Sequence, residues 1–278
     1  MRPFLMILLI SLLTTARAQY YYKDIIGSSE TTAQMKAYLA NGVKKVALTS
    51  FDADGTKNED FSVQQEFDPA KGVLTTITKS NQNEESFLYS YVNAKGQVSR
   101  TMDSTQIMVG TTTYTYNSAG QLENVLSVST DSSKRVSQKE EHRWEYSNGK
   151  ISRMLRIKND FDTTYVGFKT DEAGNVSEET SKHKGAVVDD VYYYYDGQNR
   201  LTDIVRYNAR VKRLLPEYMF EYDAANRVIQ KLTIPPSKAA NYLIWRYQYD
   251  QRGLKVKEAV YDHTKKLNGK VEYNYSAG

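Results

Sequence analysis

The sequence predicts an all-β protein. The expected architecture is an array of about ten antiparallel β-hairpin repeats forming a curved or spiralled meander sheet, with one short N-terminal helix. Three observations predict it. A short aromatic motif recurs about every 25 residues, a period typical of repeat architectures. Apolar residues around each copy alternate with the period of a strand. Glycine or asparagine recurs four residues after an aromatic anchor, where a tight turn needs positive φ.

The elements follow in chain order. Residues 1–18 read as a secretory leader: Arg2, the apolar run Phe4 to Leu13, then Ala16-Arg17-Ala18 before the cleavage point. Residues 19–50 form a helix-and-strand segment expected to cap the array. Its helix is read over Ser28 to Val43, with Thr31 and Gln34 at capping-box spacing and Asn41-Gly42 as the stop. Met35, Tyr38 and Leu39 are placed on one face, and the helix is expected to cover the first open edge of the sheet. A strand follows from Val43 to Phe51.

Residues 51–278 carry the repeats. "YYYDGQNRL" (Tyr193 to Leu201) recurs as "FEYDAANRV" (Phe220 to Val228), "YTYNSAGQL" (Tyr114 to Leu122) and "YQYDQRGLKV" (Tyr247 to Val256). Aromatic-x-aromatic directs two rings to one strand face. Asp or Asn next is the favoured first residue of a type I turn. Gly55, Gly120, Gly174, Asn199, Asn226 and Gly253 are the structural turn residues expected at positive φ. After the turn, Leu122, Leu126 and Val128 are expected on one face. The parallel sets are Ile151, Leu155 and Ile157; Leu201, Val205 and Tyr207; and Val228, Leu232 and Ile234. The last strand, Lys270 to Tyr275, is expected to have one edge without a partner in the array.

These motifs resemble the YD repeats of Rhs-type proteins and of the teneurin shell, over roughly residues 50 to 278. The resemblance implies a long antiparallel strip that winds spirally, with aromatic rows packed between strands. In large members the strip encloses a toxin or another domain. The spacing here is longer and uneven, which points to a short, single-strip, exported member.

Composition narrows the function. There is no cysteine, so disulfides, thiolate catalysis and cysteine-ligated metals are excluded. The formal charge of +4 falls by two when Arg2 and Arg17 leave with the leader, too little to argue for nucleic acid or an anionic membrane. His142, His183 and His263 stand far apart, without metal-ligand spacing. The run Asp52 to Asp60 lacks the glycine spacing of a calcium loop. Adjacent pairs such as Glu140-Glu141 and Asp189-Asp190 face opposite ways in a strand and cannot act as paired acids. No cofactor, metal or catalytic residue is expected.

The tyrosine rows have two readings, inter-strand packing and a stacking platform for sugars or peptides. Tyr192 and Tyr194 point opposite to Tyr193 and Tyr195, so they are the candidate ligand-binding residues. The leading functional expectation is an exported, non-enzymatic repeat scaffold or binding protein of the cell envelope or extracellular space. Its partner would be an envelope protein or a glycan. The alternatives are a glycan-binding or glycan-processing protein, and an accessory or remnant of a toxin-delivery shell. The chain is expected to be periplasmic, cell-surface or extracellular, not an integral membrane protein. It is expected to be a monomer, with weak self-association through its last strand as the alternative.

Overall fold

The computed structural model describes residues 20–82, 84–131, 133, 137–208, 211–235 and 241–277. The leader and its cleavage point lie outside the described residues. The chain begins with one helix, α1 (Lys23–Ala40). The first strands are β1 (Val43–Asp52), β2 (Phe61–Asp68), β3 (Val73–Ser80), β4 (Glu85–Val92), β5 (Val98–Ser104) and β6 (Met108–Tyr116). Then come β7 (Leu122–Asp131), β8 (Ser137–Ser147), β9 (Lys150–Lys158), β10 (Asp162–Thr170), β11 (Val176–His183) and β12 (Ala186–Tyr195). The last are β13 (Leu201–Asn208), β14 (Arg213–Tyr222), β15 (Val228–Thr233), β16 (Leu243–Tyr249), β17 (Lys255–Tyr261) and β18 (Leu267–Ala277).

Every strand pairs antiparallel with its sequence neighbour, and the ring closes. β1 pairs with β2 on one side and with β18 on the other, in a register running from Val43↔Ala277 to Asp52↔Gly269. The fold is a closed 18-stranded antiparallel barrel, not an open curved or spiralled strip. The physical reason is edge chemistry. An open sheet of this size leaves two rows of unpaired backbone groups, and closure is what removes them. The edge expected at the last strand therefore does not exist, because Val271, Tyr273 and Tyr275 pair with Ser50, Leu48 and Val46.

The repeats place their turns at one end of the barrel, here the repeat rim. In the best-kept copies, Asp accepts backbone N–H groups two and four residues on. Asp196 Oδ1 accepts from Gln198 at 2.9 Å and from Arg200 at 3.1 Å, and Asp223 and Asp250 repeat the pattern. Gly120, Gly174, Asn199, Asn226 and Gly253 have φ of 79°, 91°, 59°, 61° and 79°. Gly55, at φ 85°, closes the same kind of turn at the opposite rim, since β1 runs away from the repeat rim.

Each repeat-rim turn except the one between β2 and β3 carries a β-bulge that reverses the face of the returning strand. The register shifts at Thr115/Tyr116, Glu145/Tyr146, Tyr194/Tyr195 and Glu221/Tyr222. So Tyr114 pairs with Val125, Trp144 with Met154, Tyr193 with Ile204 and Phe220 with Lys231, three residues after each turn. Leu126, Leu155, Val205 and Leu232, expected to share a face with the first residue after the turn, point the other way. The inserted bulge residue is the cause.

The aromatic rows face inward. Tyr193 packs against Tyr20 and Tyr22, and Trp144 stacks on Phe168. The anchor tyrosines also fix register with their hydroxyls. Tyr116, Tyr146, Tyr222 and Tyr275 donate to the carbonyls of Val98, Leu122, Leu201 and Lys255, each at 2.7 Å. The outer wall is charged at both rims and at mid-height. Its ion pairs include Lys45–Glu66, Lys79–Glu85, Arg143–Glu141 and Lys169–Glu178.

Candidate functional site

The helix does not cover an edge. It lies inside the barrel, across the repeat-rim mouth. Its C-terminal half packs Met35 and Tyr38 against Val43, Val46, Val63, Phe67 and Leu74, on β1 to β3. In the middle, Thr32 Oγ1 accepts the N–H of Val98, the first residue of β5, at 3.2 Å. At the N-terminal end, Tyr21 packs with Leu122, Val125, Trp144 and Met154, while Tyr20 meets Tyr193 and Tyr218. In an 18-strand ring β10 stands opposite β1, so these contacts reach both walls. Eighteen residues at about 1.5 Å each make a bar roughly 27 Å long, enough to cross a lumen of this size.

The helix starts at Lys23, not Ser28, and Thr31 is no cap. Thr31 Oγ1 donates to the Gly27 carbonyl within the helix, at 3.0 Å. The cap comes from the barrel wall. Glu179 of β11 accepts the N–H groups of Tyr21 at 2.9 Å and of Tyr22 at 3.1 Å, and the Tyr193 hydroxyl at 2.7 Å. Glu179 is almost fully buried. Burial pushes its carboxyl above the usual range, against the pull of these three donors and of Arg206. A carboxylate at a helix N-terminus complements the helix dipole, and three hydrogen bonds offset its desolvation.

A second lock sits one wall-segment away. His142 of β8 is buried with Nδ1 2.6 Å from Asp24 of the helix and Nε2 3.0 Å from Glu140. Arg156 of β9 reaches Glu140 at 2.7 Å. Burial is the largest influence on His142 and pushes its pKa down, but Asp24 and Glu140 together carry it up to about 9. Glu140 is also opposed by burial, yet His142 and Arg156 hold it down at about 2. The imidazolium is thus a permanent cation at neutral pH, clamped between helix and wall.

The inward position three residues past each bulge marks the remaining polar wall. It holds Glu179, Lys231 and Glu258 where other repeats hold Val125, Met154 and Ile204. Lys231 lies over the Tyr218 and Phe220 rings, and Glu258 accepts from Lys255 and the Tyr273 hydroxyl. Glu179 and Glu258 are thus each held by local donors, while Lys231 sits over aromatic rings. Among the described residues no cluster of three or more histidine or carboxylate side chains is arranged to hold a metal.

Tyr192 and Tyr194 lie on the outer wall of β12, apart from the helix and its locks. Tyr192 stands beside Glu178 and Tyr194 beside Asp203 in the neighbouring strands. Tyr194 is 47 % exposed and Tyr192 is half-buried. The internal locks escaped sequence reasoning because the bulge reverses parity: counting from Val176 puts Glu178 inside, whereas Glu179 is the inward residue. The available signal was the aromatic triplet Tyr20-Tyr21-Tyr22, which needs an apolar surface to cover it.

No family model matches the sequence, and no curated protein matches it either. Among solved structures, a porin-like protein from Bacteroides uniformis is similar over 84 % of this chain and 98 % of its own, at 11 % identity and TM-score 0.40. A TcdB2–TccC3–Cdc42 complex is similar over 79 % of this chain and 11 % of its own, at 17 % identity and TM-score 0.34. The Tc holotoxin pore of Photorhabdus luminescens covers 82 % of this chain and 15 % of its own, at 11 % identity and TM-score 0.31. These likenesses are too distant to carry an argument about function. Among the described residues no helix is long and apolar enough to cross a membrane.

Proposed function

We propose that the protein is an exported, non-enzymatic binding barrel of the cell envelope or extracellular space, working from its outer surfaces, and that it is neither a channel nor a catalyst. One observation carries the reading: the helix bars the repeat-rim mouth and is locked there by Glu179 and His142. The charged outer wall supports it. A membrane barrel presents an apolar band to lipid, and each Lys or Arg at mid-bilayer costs about 2–4 kcal/mol. Here Arg143 and Glu141 stand outward at mid-height of β8.

The hydroxyls of Tyr116, Tyr146, Tyr193, Tyr222 and Tyr275 and the carboxylates of Glu179 and Asp24 are engaged in holding register and helix. The turn signature keeps the YD-repeat resemblance as part of this proposal: the same unit that winds into a strip in that family would here close into a ring. The toxin-shell and glycan readings have no feature of this site in their favour. The decisive experiment uses the leader-free chain. It is expected to stay in solution without detergent and to give no conductance in planar bilayers. Stepwise ionic currents, or a chain that dissolves only in detergent, would overturn the proposal.

A further inference from the structure

The rim opposite the helix carries a feature that neither the fold nor the proposed function uses. Large apolar side chains stand exposed on its hairpin tips. Phe161, between β9 and β10, is 81 % exposed, and Ile107, between β5 and β6, is 70 % exposed. Val187 and Val188 at the start of β12, and Val211 and Leu214 around the turn into β14, are exposed too. The turns do not require them. Asn159-Asp160 and Lys184-Gly185 already supply the left-handed pair of a tight hairpin, with φ of 51°, 68°, 48° and 83°. Phe161 packs into no core cluster.

The same arc is basic. Lys158, Lys182, Lys184, Lys212 and Arg213 stand on the tips of three consecutive hairpins, with Asp160 and Asp162 the carboxylates among them. Asp160 is paired with Lys139, and Asp162 lies 3.5 Å from His183. Across the rim the connections from β1 to β4 hold Asp54, Glu59, Asp60 and Glu84 with Lys57, the adjoining β17–β18 tip holds Asp262, Lys265 and Lys266, and neither carries an exposed large apolar residue. Around Phe161, Val187 and Val211 apolar tips and positive charge therefore coincide, whereas Lys57, Lys265 and Lys266 stand at tips without an exposed large apolar neighbour. Neighbouring hairpins are two strand spacings apart, so their tips stand about 10 Å from each other.

We infer that this rim docks end-on to an anionic lipid surface, with Phe161 and Ile107 entering the headgroup layer and the Lys and Arg side chains pairing with phosphates. Separated apolar points with cations between them suit a deformable, negatively charged surface. A second copy of the chain would oppose one basic arc with another. The inference is independent of the proposed function, because docking by a rim leaves the charged wall in water.

The test is vesicle flotation of the leader-free chain. One set of vesicles is phosphatidylcholine alone, and the other contains about a quarter phosphatidylglycerol. Binding should be about tenfold tighter to the anionic set and should weaken several-fold in about 0.5 M salt. Phe161→Ser with Ile107→Ser should reduce it by about tenfold at an unchanged melting temperature. Lys182→Glu with Lys212→Glu, which keeps the apolar tips, should abolish the preference for anionic lipid. Equal binding to both vesicle types, no flotation with either, or apolar-tip variants that bind like the parent would each overturn the inference. Lipid-free dimers that dissociate in the Phe161→Ser variant would assign the rim to a second copy instead. Flotation without conductance leaves the proposed function standing, so the two can fail separately.

Discussion

At the scale of single residues, the turn chemistry is local and was readable in the sequence. Asp or Asn first and Gly or Asn fourth follows from the backbone conformation each repeat turn needs. Gly120 has φ 79° and room for a side chain, with the Gln97 amide the nearest group. Gly120→Asn should therefore be nearly neutral, while Gly120→Val should cost about 1–2 kcal/mol in chemical denaturation, from backbone strain alone. Equal midpoints for the two variants would contradict the turn. The buried His142 was not readable, because its partners come from residues 24 and 140 through the fold. Its pKa is raised from 6.5 to about 9, so its folded state holds the proton more tightly than the unfolded chain. The stability it contributes is complete below pH 6.5 and is lost as pH rises through about 9. Lys23, lowered chiefly by burial, titrates with the opposite sign on its way to 10.5. The unfolding free energy should fall by on the order of 2–3 kcal/mol across the histidine window, and His142→Gln should flatten that slope. A parent protein with level stability from pH 6.5 to 9 would show that His142 is not the clamp.

At the scale of elements, strand existence was legible and strand facing was not. Aromatic-x-aromatic gives the outgoing strand its inner face without ambiguity. The returning strand loses that reading at the bulge, a single unpaired residue whose effect is on geometry and not on composition. The helix shows the same limit. The helix is read from Ser28 with Thr31 and Gln34 as a capping box, yet it runs through both from Lys23, because Glu179 supplies the cap from outside the segment. Met35 and Tyr38 are buried as expected of an inner face, but Leu39 is 61 % exposed and turns toward solvent at the mouth. Met35→Ala should cost about 2–4 kcal/mol through the void it leaves, whereas Leu39→Ala should stay within about 0.5 kcal/mol. Thermal melts of the two variants check this. A large loss at Leu39 would mean that the helix presents a different face to the wall.

At the scale of the whole molecule, closure has no local signature. Alternation and turns specify a meander of hairpins, and the same pattern serves an open strip or a ring. The ring is chosen by the pairing of β1 with β18, segments more than two hundred residues apart. That pairing has a consequence for stability. In an open repeat array each unit contacts only its neighbours, so losing the last unit removes one increment and leaves the rest folded. In the barrel, removing residues 255–278 deletes β17 and β18 and opens two ladders, to β16 and to β1. It also removes Val271, Tyr273 and Tyr275 from the cluster that holds Met35 and Tyr38, so the helix loses part of its seat at the mouth. The truncated chain should therefore show no cooperative unfolding transition in urea, and it should self-associate through the exposed edges of β1 and β16. The full-length chain should unfold in one transition as a monomer by light scattering. A truncated chain that melts cooperatively near the parent midpoint would mean that the repeats fold independently and that the seam between β1 and β18 contributes little.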